Sequence, residues 1–334
     1  MKILNGQELA GFIKERHAKQ VRSLRGRGIR PKLAIVQVKD DPVINTYVRL
    51  KKQYGADVGI DVDIHTLQQK DAPKLLNKLS NDDSIHSIIV QLPLTDPSQT
   101  DEIVNLVAPQ KDVDALGDPD APWPPLTKSR ASHKSAVQGK DGQQTESYMK
   151  YGEGVAQSLT PQRTLSDDGA SGSARRQDVT VRGTWFEPAT PMAIMWLLAG
   201  YGVDLAGKHI LLVGRGKLVG APLEKILKAS GYEVEVIGRE VKNLSDYTKK
   251  ADVIITATGS PAVLYPDMIK TGAVVVDAGV ASESGKTVGD LAPEVYQRDD
   301  LIITPEKGGV GTLTVCALFE NVIRAADNLP RTKS

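Results

Sequence analysis

An apolar run that breaks into three glycines constrains this chain more than any other stretch. Residues 209–222 read His-Ile-Leu-Leu-Val-Gly-Arg-Gly-Lys-Leu-Val-Gly-Ala-Pro. Ile210 to Val213 is too short for a helix, while Leu223 to Ala229 carries apolar residues at helical spacing. The segment therefore predicts a strand, a tight turn through Gly214, Gly216 and Gly220, and a helix. Glycine suits such a turn because it accepts positive φ and lets the backbone approach a pyrophosphate, whose charge the free N–H groups of the new helix attract. The spacing is one residue longer than the usual dinucleotide fingerprint, so on the motif alone a plain strand-to-helix turn stays open. A second β unit, Glu233 to Ile237, ends in Gly238-Arg239, where an NAD enzyme usually places an acid for the ribose hydroxyls. Arg215 and Arg239 together suit a 2′-phosphate, which favours NADP, with Glu240 next door as the contrary sign.

The residues before this turn alternate strand and helix. Gly6 to Leu24 predicts an amphipathic helix, Lys32 to Val38 a strand, and Asp41-Pro42 a capped helix start running to about Val58. That helix carries Tyr47 and Lys51 four residues apart, hence stacked on one face. By spacing alone they read equally as an exposed amphipathic pair. Asp61 to Leu67 predicts a strand, Ala72 to Leu79 a helix, Ser87 to Leu92 a strand and Thr100 to Val107 a helix. Gln91 is polar at the carboxyl end of an apolar strand, where open α/β sheets bind ligands, although it could equally satisfy a loop carbonyl. After the gap described below, Thr190 is a candidate cap for a helix through Leu198, and short apolar strands follow at Val253 to Thr258, Ala273 to Val276 and Ile302 to Pro305. A glycine-rich loop, Lys307 to Gly311, leads into a closing helix from Thr312 to Ala326. The pattern is α/β throughout.

Bulk properties serve mainly to exclude. With 334 residues the chain can hold two cores, and a net charge of +1 offers no field for nucleic acid or an acidic membrane. No stretch approaches the length of a membrane span and no leader pattern opens the chain, so a cytoplasmic protein is expected. The single cysteine, Cys316, sits in an apolar run and reads as a buried structural thiol. His17, His65, His86, His133 and His209 are scattered, with no two at ligand spacing, so no metal is expected.

Between Lys128 and Gly183 the composition turns to Ser, Gln, Gly, Lys and Arg with isolated apolar residues, and neither helical nor strand periodicity is sustained. So little apolar surface cannot offset the entropy of ordering, and the expectation is an inserted, largely disordered excursion.

Taken together, the motifs resemble the bifunctional methylenetetrahydrofolate dehydrogenase/cyclohydrolases. The resemblance rests on Asp40-Asp41-Pro42 with Tyr47-Val48-x-x-Lys51, on Val90-Gln91-Leu92-Pro93-Leu94 and on Lys111-Asp112-Val113-Asp114. It continues through Pro188 to Pro191, Val213 to Pro222, and Thr304-Pro305-x-x-Gly308-Gly309-Val310-Gly311 with Thr314, covering nearly the whole chain outside 128–183. It implies two α/β domains around a cleft, the second a Rossmann-type parallel-sheet domain: residues 1–127 with 313–334 for folate, 184–312 for NADP, and 128–183 inserted. It further implies NADP-dependent oxidation of 5,10-methylenetetrahydrofolate to the methenyl form, hydrolysis to 10-formyltetrahydrofolate, tetrahydrofolate one-carbon derivatives as partners, and a homodimer. On the same basis Lys51 is the main group of the hydrolytic step, Gln91 tunes it, Tyr47 stacks on the folate and Asp114 hydrogen-bonds the pterin. Val90, Leu92, Gly308, Gly309 and Val310 complete the implied substrate set. Gly214, Arg215, Gly216, Gly220, Arg239 and Val280 form the cofactor set.

The chain departs from the family at several points. Gly216 replaces a common serine, Ala189 a cysteine, Lys39 a glycine, and Lys307 and Thr312 two prolines. Asp114 and Pro188 lie 74 positions apart (188 − 114) where the family has a short connector. Weak or lost hydrolysis, or a non-catalytic scaffold that uses the insertion, are the alternatives these changes raise.

Overall fold

The computed structural model describes residues 2–118, 186–283 and 286–328. The expectation for 128–183 lies outside them.

The first half is built on a three-stranded parallel sheet in the order β3-β2-β4, formed by β2 (Lys32–Gln37), β3 (Asp61–Thr66) and β4 (Ser87–Gln91). β2 is central and almost wholly buried, which its continuous Leu-Ala-Ile-Val core allows. The register sets Gln37 beside Gln91, so two polar amides share the carboxyl edge of an otherwise apolar sheet. Crossing helices are α1 (Gly6–Gly26), α2 (Pro42–Val58) and α3 (Ala72–Ser80), followed by a short α4 (Thr100–Val104). α2 starts where expected: Pro42 is its first residue, and the Asp41 carboxylate accepts from the N–H groups of Val43 (2.9 Å) and Ile44 (3.3 Å).

The second half is a six-stranded parallel sheet in the order β1-β11-β8-β7-β5-β6. It uses β5 (Ile210–Val213), β6 (Val234–Ile237), β7 (Val253–Thr256), β8 (Val274–Asp277) and β11 (Ile302–Ile303). One of its two outer strands is β1 (Lys2–Ile3), which pairs with β11 some 300 positions later. From β5 the chain steps to β6 through α6 (Gly220–Ala229) and then to β7 on the other side of β5. That reversal opens a crevice beyond the carboxyl ends of β5 and β7.

Two further helices join the halves. α5 (Ala189–Gly200) and α8 (Val310–Asn328) pack together, and α8 also lies along α1. Phe319 of α8 is fully buried and sits 4.7 Å from the ring of Tyr54 on α2. A buried polar chain crosses the same seam: His17 Nδ1 meets the Tyr54 hydroxyl at 2.9 Å and His17 Nε2 meets the Glu320 carboxylate at 2.9 Å. Cys316 is buried there, as its apolar context requires.

The structure corrects several boundaries. α5 begins at Ala189 after Pro188, and Thr190 is not its cap; the Thr190 hydroxyl meets that of Thr314 at 3.4 Å instead. α8 opens at Val310, inside the glycine-rich loop, and α4 stops at Val104. β1, the small helix α7 (Ser245–Thr248) and the antiparallel pair β9 (Ala281–Glu283) and β10 (Lys286–Val288) had no counterpart in the sequence reading.

Candidate active site and dinucleotide crevice

The cleft side of the first sheet is assembled from the ends of β2 and β4, the start of α2 and the turn around Asp114. Lys51 lies one helical turn beyond Tyr47, and its Nζ donates to Gln91 Oε1 at 2.9 Å. Gln91 Nε2 donates to the Leu92 carbonyl at 3.0 Å. An ammonium can only donate, so the amide must present oxygen to Lys51, and the Leu92 carbonyl holds it that way. The Lys51 side chain is half-buried along its length, but its ammonium is enclosed. Desolvation drives its pKa below the ordinary lysine value, and the Asp114 carboxylate opposes that shift. Lys51, Gln91 and Asp114 thus form one electrostatic unit, with Tyr47 half-buried beside it on α2.

The turn that delivers Asp114 is held from four sides. Lys111 is almost fully buried and donates to the carbonyls of Asp82 (2.8 Å) and Leu79 (3.3 Å). Asp112 bridges to Ile88 along the edge of β4, and its carboxylate accepts from the Gly117 N–H at 2.8 Å. Burial pushes the Asp112 carboxyl up to about 7, against the pull of the Gly117 N–H. From α8, buried Asn321 donates to the carbonyls of Val113 (2.9 Å) and Glu187 (2.8 Å), tying together both flanks of 119–185. Ala115 takes a left-handed φ of 53°, which costs a residue with a Cβ about 1 kcal/mol. At the start of α2, Gln37 Nε2 donates to Asn45 Oδ1 (2.6 Å) and Asn45 Nδ2 to Asp40 Oδ1 (2.8 Å), a relay from β2 into the helix.

Other members of the implied substrate set are placed differently. Val90 and Val310 are core residues with buried side chains, and Leu92 is half-buried against the same core as Val90. Gly308 and Gly309 press on the beginning of α1: the Gln7 N–H donates to the Gly308 carbonyl at 2.9 Å. A Cβ at Gly6 would meet the Gly309 oxygen at 2.0 Å. Lys307 is exposed.

In the crevice of the second sheet, Gly214 has φ 116°, and a Cβ on it would meet the Ala257 oxygen beyond β7 at 2.5 Å. A Cβ on Gly220 would meet the Gly214 oxygen at 2.1 Å, whereas Gly216 has nothing within 4 Å. Two glycines are thus demanded by the turn, and the third leaves open space. Arg215 donates to the Val236 carbonyl at 2.6 Å and stands 3.8 Å from Glu240 Oε1. Arg239 is exposed and makes no ion pair among the described residues. Val280 is 52% exposed, and its carbonyl lies against Gly259 at the next strand end.

Two acids, one half-buried and one buried, stiffen this rim. Fully buried Asp290 accepts from the N–H groups of Thr258 (2.7 Å) and Ser260 (3.2 Å), and Asp277 accepts from those of Gly279 (2.9 Å) and Asp290 (3.1 Å). Burial, with the Asp290 charge, raises the Asp277 pKa. Neither acid, nor Lys111, Asp112 or Asn321, was assigned a role from the sequence. Lys111 and Asp112 stand inside the Lys111-Asp112-Val113-Asp114 motif, the one local sign of them.

Residues 4–114 match the model of the catalytic domain of tetrahydrofolate dehydrogenase/cyclohydrolase, and residues 188–329 match the model of its NAD(P)-binding domain. The bifunctional protein FolD of Campylobacter jejuni strain RM1221 is 33% identical over 333 residues, spanning 98% of this chain and 99% of that protein. The FolD of Nautilia profundicola is 30% identical over 336 residues, with 99% of each chain covered. Among solved structures, the bifunctional FolD methylenetetrahydrofolate dehydrogenase/cyclohydrolase of C. jejuni superposes with a TM-score of 0.74 at 33% identity, covering 98% of this chain and 99% of that one. The bifunctional enzyme of Thermoplasma acidophilum gives 0.70 at 27% identity, with 98% of each covered.

Proposed function

The chain belongs to the tetrahydrofolate dehydrogenase/cyclohydrolase family, and from that premise we infer how its own residues carry the two reactions. It oxidises 5,10-methylenetetrahydrofolate to the methenyl form with NADP and hydrolyses that product to 10-formyltetrahydrofolate. The observation that carries the hydrolytic half is the Lys51–Gln91 contact of 2.9 Å beside Asp114.

The crevice fits a dinucleotide, since Gly214 and Gly220 leave no room for a Cβ and Arg215 and Arg239 bring two cations to the end of β6. Held there, NADP would supply the hydride acceptor. The hydride leaves with both electrons, so that step needs no acid or base from the chain, only fixed geometry. Asp277 and Asp290 supply rigidity by locking the loops after β7 and β8.

Hydrolysis asks more of the side chains. Water adds to the cationic methenyl carbon and gives up a proton, leaving a neutral hydroxyl adduct. A C–N bond then opens as its nitrogen takes a proton back and the hydroxyl loses its own to become the formyl oxygen, so one proton is released to solvent overall. Burial lowers the Lys51 pKa, which favours proton exchange between its Nζ and the attacking water. Gln91 aims the Nζ, and Asp114 keeps the pKa from falling too far while hydrogen-bonding the pterin. Tyr47, on the same face of α2, stacks against it.

No helix among the described residues is long and apolar enough to cross a membrane. As the family implies, we read the enzyme as a homodimer, and we propose a cytoplasmic location.

The test is a spectrophotometric assay of NADPH and methenyl absorbance for wild type and Lys51→Met. The expected outcome is retained NADPH formation with methenyl accumulating, as hydrolysis falls about 10²- to 10⁴-fold. Wild type that reduces no cofactor, or a variant that hydrolyses normally, refutes the assignment.

A further inference from the structure

The end of β6 holds an anion supplied by the protein itself. Glu240 folds back so that its Oε1 accepts from the Gly238 N–H at 3.1 Å, with Arg215 Nη1 3.8 Å away. Gly238 permits the approach, for a Cβ there would meet Glu240 Oε2 at 2.5 Å. Glu240's own N–H, the Gly238 N–H and Arg215 together hold this carboxyl below the usual glutamate range. Arg215 is in turn fixed to β6 through the Val236 carbonyl. Backbone N–H, guanidinium and the nearby Arg239 are the donors a phosphate monoester on an adenosine ribose would seek at this strand end.

We propose that Glu240 is the specificity-determining residue of the cofactor site: its carboxylate occupies the anion position that a 2′-phosphate requires, weakening NADP and narrowing its advantage over NAD. This rests on the dinucleotide reading of the crevice. A 2′-phosphate must displace the carboxylate from Gly238 and share Arg215 with it, two like charges at close range. NAD carries no such group, and its hydroxyls can be accommodated without moving Glu240.

The test is calorimetric titration of NADP, NAD, 2′,5′-ADP and 5′-AMP into wild type, Glu240→Gln and Glu240→Ala. Removing the competing charge tightens NADP and 2′,5′-ADP about tenfold in both variants, the scale of an exposed like-charge contact after screening. NAD and 5′-AMP stay within about threefold of wild type. Raising the salt concentration shrinks the difference between wild type and variants for NADP only. Unchanged or weaker NADP binding in both variants overturns the proposal. So does a tenfold loss of NAD, which would make Glu240 a ribose-hydroxyl acceptor. If wild type binds none of the four ligands, the dinucleotide reading falls and this proposal with it.

Discussion

Placing an alanine at Gly220 asks whether the glycine turn is shaped by steric need. The new Cβ would stand 2.1 Å from the Gly214 carbonyl oxygen, 2.8 Å from its carbon and 3.0 Å from the Arg215 Cα. These are backbone atoms and no rotamer change relieves them. Ordinary contact needs about 1 Å more, so α6 and the turn must move apart. Overpacking against backbone lies at the upper end of its usual cost, about 3 kcal/mol. At about 2–4 °C per kcal/mol for a chain of this size, Gly220→Ala should lower the melting temperature by about 6–12 °C. Displaced turn N–H groups should also weaken NADP at least tenfold, since hydrogen bonds to charged groups are worth about 1.5–3 kcal/mol each. Gly216→Ala is the control, because nothing lies within 4 Å of its Cβ position. Its melting temperature should stay within about 2 °C of wild type and its NADP affinity within about threefold. Calorimetric melting and titration of both variants decide the matter. Equal behaviour of the two would refute the claim that the turn's glycines differ in steric demand.

Two further outcomes follow from the folate side. Burial raises the folded-state pKa of Asp112 to about 7, so its contribution to stability is full below about pH 4 and is lost as pH rises through 7. Asp112→Asn should flatten that decline, by at most about 4 kcal/mol between pH 4 and pH 8, and urea midpoints that run parallel for the two proteins would contradict it. Gln91→Leu removes the neutral acceptor of the Lys51 ammonium, so hydrolysis should fall about 10- to 100-fold with its pH profile moved to lower pH, while NADPH formation falls much less. An unshifted profile would show that Gln91 does not set the Lys51 pKa.

Much of this was legible from local chemistry. Asp41-Pro42 declares the start of α2 because capping and proline geometry act within three residues, and the period of that helix places Tyr47 and Lys51 on one face. The β5 turn was readable for the same reason: a short apolar run followed by glycines has few structural solutions. What stayed hidden depends on distant partners. Lys111 and Asp112 look like surface charges until Leu79, Asp82 and Ile88 arrive from α3 and β4. Asn321 sits in an apolar helix with no local sign that it reaches Val113 and Glu187. Thr190 looked like a cap because Thr before Pro usually is one, but the Thr314 hydroxyl on α8 meets its side chain instead. β1 is two residues long, below any periodicity, and exists only because β11 offers a free edge.

That edge pairing sets a timetable for biosynthesis. Lys2 pairs with Ile302, 300 positions later, so a strand made early finds its place only after some 300 further residues have been made. α1 waits with it, since Ala10, Ile13, Val21 and Leu24 are buried in the finished molecule on a face that α8 helps to seal. At ordinary elongation speeds that apolar face stays open for roughly 15–60 s. Until then that apolar face is open to chaperones, and a premature stop shortly before α8 leaves α1 without the helix that seals it.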